Sequence, residues 1–217
     1  VRSRRQRQMC IRDRLKKMIG FNSELTGSNN YLAQTTDNTL YITDETDLWK
    51  STDNGETWTE ITATGASYNF TGIAVVGNTL YLTTADGTSN SELIQYDGSS
   101  FTTLTTAQAS SGGLTGVWFA KGFLFISGNN GTVELLWAVN PFGKTWSSSD
   151  LQDGDAILTF EDTYHVSSIV DAGAVVLAAS TNGNIYSIKD VSGTMTLKGQ
   201  TNIPVSYTHL TLPTTPY

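Results

Sequence analysis

Apolar and polar residues alternate along much of this chain. Leu40 and Ile42 alternate with Thr39, Tyr41 and Thr43, the two-residue period of a strand with one face buried. Phe123 to Ile126 and Ala174 to Ala179 are apolar throughout, as in strands covered on both faces. β-Branched and aromatic residues fill these runs. Turn clusters such as Asp53-Asn54-Gly55 and Gly128-Asn129-Asn130-Gly131 separate them. The one candidate helix is Leu15 to Ile19. The pattern predicts an all-β chain.

The runs also repeat. Asn38-Thr-Leu-Tyr-Ile-Thr returns as Asn78-Thr-Leu-Tyr-Leu-Thr, and Thr71-Gly-Ile returns as Thr115-Gly-Val ahead of Phe123-Leu-Phe-Ile. Ser167-Ser-Ile-Val followed by Ala174-Val-Val-Leu-Ala makes a fourth copy. A turn glycine closes each unit, at Gly55, Gly98, Gly143 and Gly193. In the second unit four strands are predicted, at roughly 71–76, 79–84, 91–96 and 101–105. Four short strands in about 40 to 50 residues is the content of one β-propeller blade. A sandwich need not repeat at this interval, and a solenoid coil would be shorter. The expected architecture is a β-propeller fragment of about four blades, each a four-stranded antiparallel meander. The blades are placed at 31–62, 71–105, 114–147 and 166–199.

One hairpin carries a specific motif. Leu48-Trp-Lys-Ser-Thr-Asp-Asn-Gly-Glu-Thr-Trp contains Ser51, Asp53, Gly55 and Trp58 in the spacing S-x-D-x-G-x-x-W. This resembles the Asp-box, or BNR repeat, of sialidases and sortilin-type receptors. Eroded copies follow: Asp97, Gly98 and Phe101; Asn140, Gly143 and Trp146; Asp190 and Gly193. Glycine gives the tight turn its positive φ, and short Ser and Asp side chains bind the backbone of the turn. The expected role of these residues is therefore structural, joining the third and fourth strands of a blade. In the families it resembles, ligands sit at the opposite end, beside the blade-to-blade links.

Charge changes the picture only once the two ends are set aside. Val1–Arg14 and Pro204–Tyr217 can be encoded by one DNA sequence read on opposite strands. Met9 as ATG gives CAT, His209, and Cys10 as TGT gives ACA, Thr208. The correspondence holds to Arg14–Pro204 and fails at Leu15 and Ile203. The implied DNA resembles a transposon-end library adapter, so 1–14 and 204–217 are read as non-native and 15–203 as the partial propeller. Six arginines and the single cysteine leave with them. Seven lysines then face nineteen acidic residues, a net charge of about −12. An acidic segment without arginine is a poor partner for nucleic acid. No apolar stretch approaches the ~20 residues of a membrane helix.

The same arginine count weighs on activity. Sialidases grip their substrate carboxylate with an arginine cluster and use a Tyr–Glu nucleophile pair, and bidentate carboxylate recognition is an arginine task. None lies between Leu15 and Ile203. His165 has no second histidine or cysteine beside it in that segment, so no zinc site or Ser/His/Asp triad is expected, and it reads as a loop-edge residue. No cofactor is implied. The long segment Ser147 to Tyr164 reads as a link between the third and fourth blades at the ligand end, with Ala156 to Phe160 as an extra strand. Its acids, Asp150, Asp153, Asp155, Glu161 and Asp162, form the candidate binding loop. Asp150-Leu-Gln-Asp153-Gly-Asp155 lacks the full ligand set of a calcium loop.

The expected function is a non-catalytic binding or structural propeller. Its partner is a protein or glycan at the inter-blade loop face, with the missing blades of the same chain alongside. The composition resembles virion tail or secreted microbial proteins, which points to an extracellular or virion setting. Two alternatives are a sialidase-type glycoside hydrolase with its catalytic residues in the missing blades, and an assembly-factor propeller that docks through an acidic face.

Overall fold

A computed structural model of the chain describes residues 31–202, apart from 45, 62–68, 86–90, 107–112, 148–149 and 162–163. The adapter-like ends and the helix candidate at 15–19 lie outside the described residues.

Sixteen strands form four separate sheets among the described residues, each antiparallel and in chain order. The first holds β1 (Leu32–Gln34), β2 (Leu40–Asp44), β3 (Asp47–Ser51) and β4 (Thr59–Ile61). The second holds β5 (Phe70–Val76), β6 (Thr79–Thr84), β7 (Glu92–Tyr96) and β8 (Phe101–Thr106). The third holds β9 (Gly113–Ala120), β10 (Phe123–Asn129), β11 (Val133–Val139) and β12 (Leu158–Glu161). The fourth holds β13 (Val166–Asp171), β14 (Val176–Ser180), β15 (Asn184–Val191) and β16 (Thr194–Asn202). The first strands lie side by side, β1 against β5, β5 against β9 and β9 against β13. These are four blades of a β-propeller, with their first strands innermost.

The core lies between blades, which is why the strand patterns read as they do. Tyr41 and Leu48 of blade 1 pack on Leu80, Leu82 and Ile94 of blade 2. Tyr81 and Leu93 of blade 2 pack on Leu124, Ile126 and Trp137 of blade 3. Phe125 and Leu136 of blade 3 pack on Val176, Ala178 and Ile188 of blade 4. A sheet with neighbours on both sides must be apolar on both faces, as Phe123 to Ile126 is. Each fully buried Leu, Ile or Phe contributes about 1.5–3 kcal/mol.

The Thr-Gly repeat has a structural reason. In blades 2, 3 and 4 the innermost strand slips register against the second strand at one place. Phe70 pairs with Thr84 but Gly72 with Thr83; Leu114 pairs with Gly128 but Gly116 with Ser127; Val166 pairs with Ser180 but Ser168 with Ala179. Thr71, Thr115 and Ser167 are the extra residues of three equivalent bulges, which re-aim a side chain. Gly72 lies where two innermost strands nearly touch. A Cβ there would fall 2.7 Å from the Val117 nitrogen and 3.0 Å from the Gly116 Cα.

Blade 3 departs from the expected boundaries. The third blade does not end at 147; its fourth strand is Leu158–Glu161, paired with Val133 to Leu136. The chain between β11 and β12 is thus a connection within the blade, not the link to blade 4. It is long because it fills the seam between blades 2 and 3. Leu151 is buried there with Leu93 and Trp137, the Trp137 indole nitrogen donates to the Gln152 carbonyl at 2.8 Å, and the Thr105 hydroxyl donates to the Asp150 carbonyl at 3.5 Å. The predicted extra strand at 156–160 is the missing fourth strand of the blade.

Candidate functional site

All four turns between third and fourth strands carry an Asp or Asn whose oxygen is committed to backbone. In blade 1 the Asp53 carboxylate accepts the Thr57 amide at 2.9 Å, the Thr57 hydroxyl at 2.6 Å and the Ser51 hydroxyl at 2.7 Å. The Ser51 oxygen in turn accepts the Gly55 amide at 2.8 Å. Hydrogen bonds from Thr57 and then Ser51 hold the Asp53 carboxyl down at about 2. Asp97 accepts the Ser99 and Ser100 amides, both at 2.8 Å; the Ser100 amide and then the Ser99 hydroxyl and amide put it well below the usual carboxylate range. Asn140 accepts the Phe142 amide and Asp190 the Gly193 amide. Gly55, Gly98, Gly143 and Gly193 all have positive φ. Phe101 leans on Tyr96 at 4.7 Å between ring centres. Trp58 and Trp146 are half-buried, the latter against the core of the blade 2–3 seam.

The acids of the long segment do not converge. Asp150 binds the Lys144 ammonium at 2.8 Å and the Ser147 amide at 2.7 Å. Asp153 accepts the Asn130 side-chain amide at 2.7 Å, on the β10–β11 turn. Asp155 is exposed. Glu161 belongs to β12, and Asp162 lies outside the described residues. Among the described residues no three metal-ligating side chains gather.

What does converge lies at the innermost strands. A cavity of about 330 Å³ is lined by Tyr31 of blade 1, Thr71 and Ile73 of blade 2, Thr115 and Trp118 of blade 3, and Ser167 of blade 4. The indole of Trp118 folds over Gly116, where a Cβ would meet it at 2.5 Å. Behind Thr115 sits Glu134, fully buried. One carboxylate oxygen accepts the Thr115 hydroxyl. The other lies 3.0 Å from Nδ1 of His165, whose side chain is 49% exposed. The Ser127 and Thr115 hydroxyl oxygens are 2.7 Å apart, so a chain of polar contacts runs from Ser127 to His165 across the blade 3–4 seam.

This site was not among the residues expected from the sequence. His165 reads there as a loop-edge residue, and Glu134 is not singled out. The register of the blades gives the signal that would find it. Counting along aligned strands, Glu134 occupies the position of Ser91 in blade 2, and His165 that of Gly113 in blade 3. In the blade 2–3 seam that pair is small, and a Cβ on Gly113 would lie 2.8 Å from the Ser91 hydroxyl. One seam later the same two places hold a carboxylate and an imidazole. A buried charge that breaks a repeat costs stability unless it is paired, and such departures cluster at functional sites.

No family model matches the chain, and no curated protein sequence does. Among solved structures it is similar to a prolyl endopeptidase, at 13% identity and a TM-score of 0.51, over 81% of this chain and 27% of that one. It is also similar to a chain of a nidogen/laminin complex, at 14% identity and a TM-score of 0.51, over 76% of this chain and 59% of that one. The chain therefore spans about a quarter of the first and less than two thirds of the second. At this identity the likenesses bear on the fold alone, and they agree with a β-propeller.

Proposed function

We propose that this chain is a non-catalytic binding propeller of the Asp-box type, which engages a protein or glycan at the end bearing the blade-to-blade links. The observation that carries the reading is the commitment of Asp53, Asp97, Asn140 and Asp190 to the backbone of their own turns. A carboxylate held by three hydrogen bonds at a turn tip is a staple, not a general acid. Catalytic acids need pKa values near the working pH, and Asp53 is displaced the other way. The cavity, the bulged hydroxyls and the Glu134–His165 pair supply chemistry away from those turns, which supports a ligand at the other end. Fold likeness does not fix activity.

The test has two arms. Incubation with a fluorogenic sialoside is expected to leave it intact, and release of the fluorophore would overturn the reading in favour of a hydrolase. Immobilised glycans and peptides probed with the chain are expected to retain it equally when Asp53 or Asp97 is replaced by Asn. Loss of retention in those variants would move the binding surface to the turn end.

A further inference from the structure

Three hydroxyls on the wall of the innermost cavity share one hydrogen-bonding direction. Thr115 donates to the Glu134 carboxylate, Ser167 donates to the Ala179 carbonyl at 3.1 Å, and Thr71 donates to Thr83 at 3.0 Å. Each hydroxyl spends its proton inward. What the three offer the cavity is oxygen lone pairs.

His165 precedes Val166 on the cavity wall, and its Nδ1 faces the buried carboxylate. Among the described residues no lysine or arginine lines the cavity. Two aromatic side chains do, Tyr31 and Trp118, and aromatic faces attract cations. An anion would meet the lone pairs of the three hydroxyls and the field of the carboxylate behind Thr115. A neutral ligand would satisfy the acceptors but gain nothing from the charge of Glu134. A cation with several N–H donors uses all three features.

Resting on the binding-propeller reading, we propose that this cavity binds an organic ammonium group, either a free amine or a lysine side chain of a partner. Trp118 gives the cation a face, the bulged hydroxyls accept its protons, and the buried Glu134 supplies the compensating charge through Thr115.

The probe is n-butylammonium, titrated against the full chain at one fixed pH and followed by tryptophan fluorescence and calorimetry. Butyrate, n-butanol and methyl β-glucoside serve as anionic and neutral counterparts, and Nα-acetyl-lysine amide represents a peptide source. Butylammonium is expected to bind at least tenfold more tightly than the other small probes, and more weakly as salt rises. Tighter binding of the lysine derivative than of butylammonium assigns the site to a protein partner; the reverse assigns it to a free amine. The double variant E134S/H165G installs the pair that the preceding seam already tolerates, so it keeps its fold. It is expected to lose amine binding at least tenfold, as is E134Q, with the circular dichroism spectrum unchanged. Three results would overturn the proposal: no response to butylammonium, equal binding by methyl β-glucoside, or undiminished binding in a folded double variant. None of these bears on the binding-propeller reading, which fails instead on sialoside cleavage.

Discussion

Glu134 and His165 meet across the seam between blades 3 and 4, with Oε2 and Nδ1 3.0 Å apart, at places held one seam earlier by Ser91 and Gly113. The carboxylate has no access to water, and Thr115 is its other partner. Removing one member of a buried hydrogen-bonded pair costs more than removing both. His165→Ala is therefore expected to destabilise the chain by about 1–2 kcal/mol in urea unfolding. E134S/H165G is expected to lie within about 0.5 kcal/mol of the parent. A larger loss in the double variant than in the single one would show that the pair contributes net stability.

Two glycines separate space from backbone strain. At Gly72 the obstacle is the neighbouring innermost strand, 2.7 Å from the missing Cβ. At Gly77 nothing lies within 4 Å, but φ is +65°. Gly77→Ala is expected to cost about 1–2 kcal/mol, the strain of a left-handed residue. Gly72→Ala forces blades 2 and 3 apart at the axis and is expected to cost about 3 kcal/mol or more. Urea midpoints of the two variants measure the difference directly.

Acid should weaken the hairpins between third and fourth strands. The Asp53 carboxyl falls from an ordinary 3.8 to about 2 in the folded chain, and Asp97 is lowered too. A depressed carboxyl stabilises the fold above its unfolded-state pKa, and that contribution disappears as pH drops through the folded value. The melting midpoint is expected to be level in this respect above about pH 5 and to decline between about 4 and 2. The D53N/D97N variant should start lower at neutral pH and decline less steeply. Parallel curves for parent and variant would show that other carboxylates govern the acid limb.

The blades were legible because their signals are local. The second blade was expected at 71–76, 79–84, 91–96 and 101–105, and its strands run 70–76, 79–84, 92–96 and 101–106. Turn glycines at 55, 98, 143 and 193 mark their hairpins because positive φ leaves few other choices. The third blade misled because Asn140, Gly143 and Trp146 imitate a hairpin that should return at once into a fourth strand. The chain instead fills a seam before returning, and no local pattern records where a distant gap lies. The Glu134–His165 pair was hidden for a related reason. The two residues are far apart in sequence, and only the alignment of the seams shows that they replace a smaller pair.

The long connection of blade 3 can be tested as packing rather than as a binding loop. Leu151 is 3% exposed and sits among side chains of blades 2 and 3, whereas Asp155 is exposed and Asp153, also exposed, accepts the Asn130 side-chain amide. Leu151→Ala should open a void that the rigid sheets cannot collapse around, at a cost of about 2–4 kcal/mol. D153N and D155N should each change stability by less than about 0.5 kcal/mol. Because the seam joins two blades, the Leu151→Ala loss should come with faster hydrogen exchange in β8 and β11 together, the strands between which the segment is wedged. Faster exchange confined to 140–157, with β8 and β11 as protected as before, would mean that the connection only rests on the rim and that blades 2 and 3 hold each other without it.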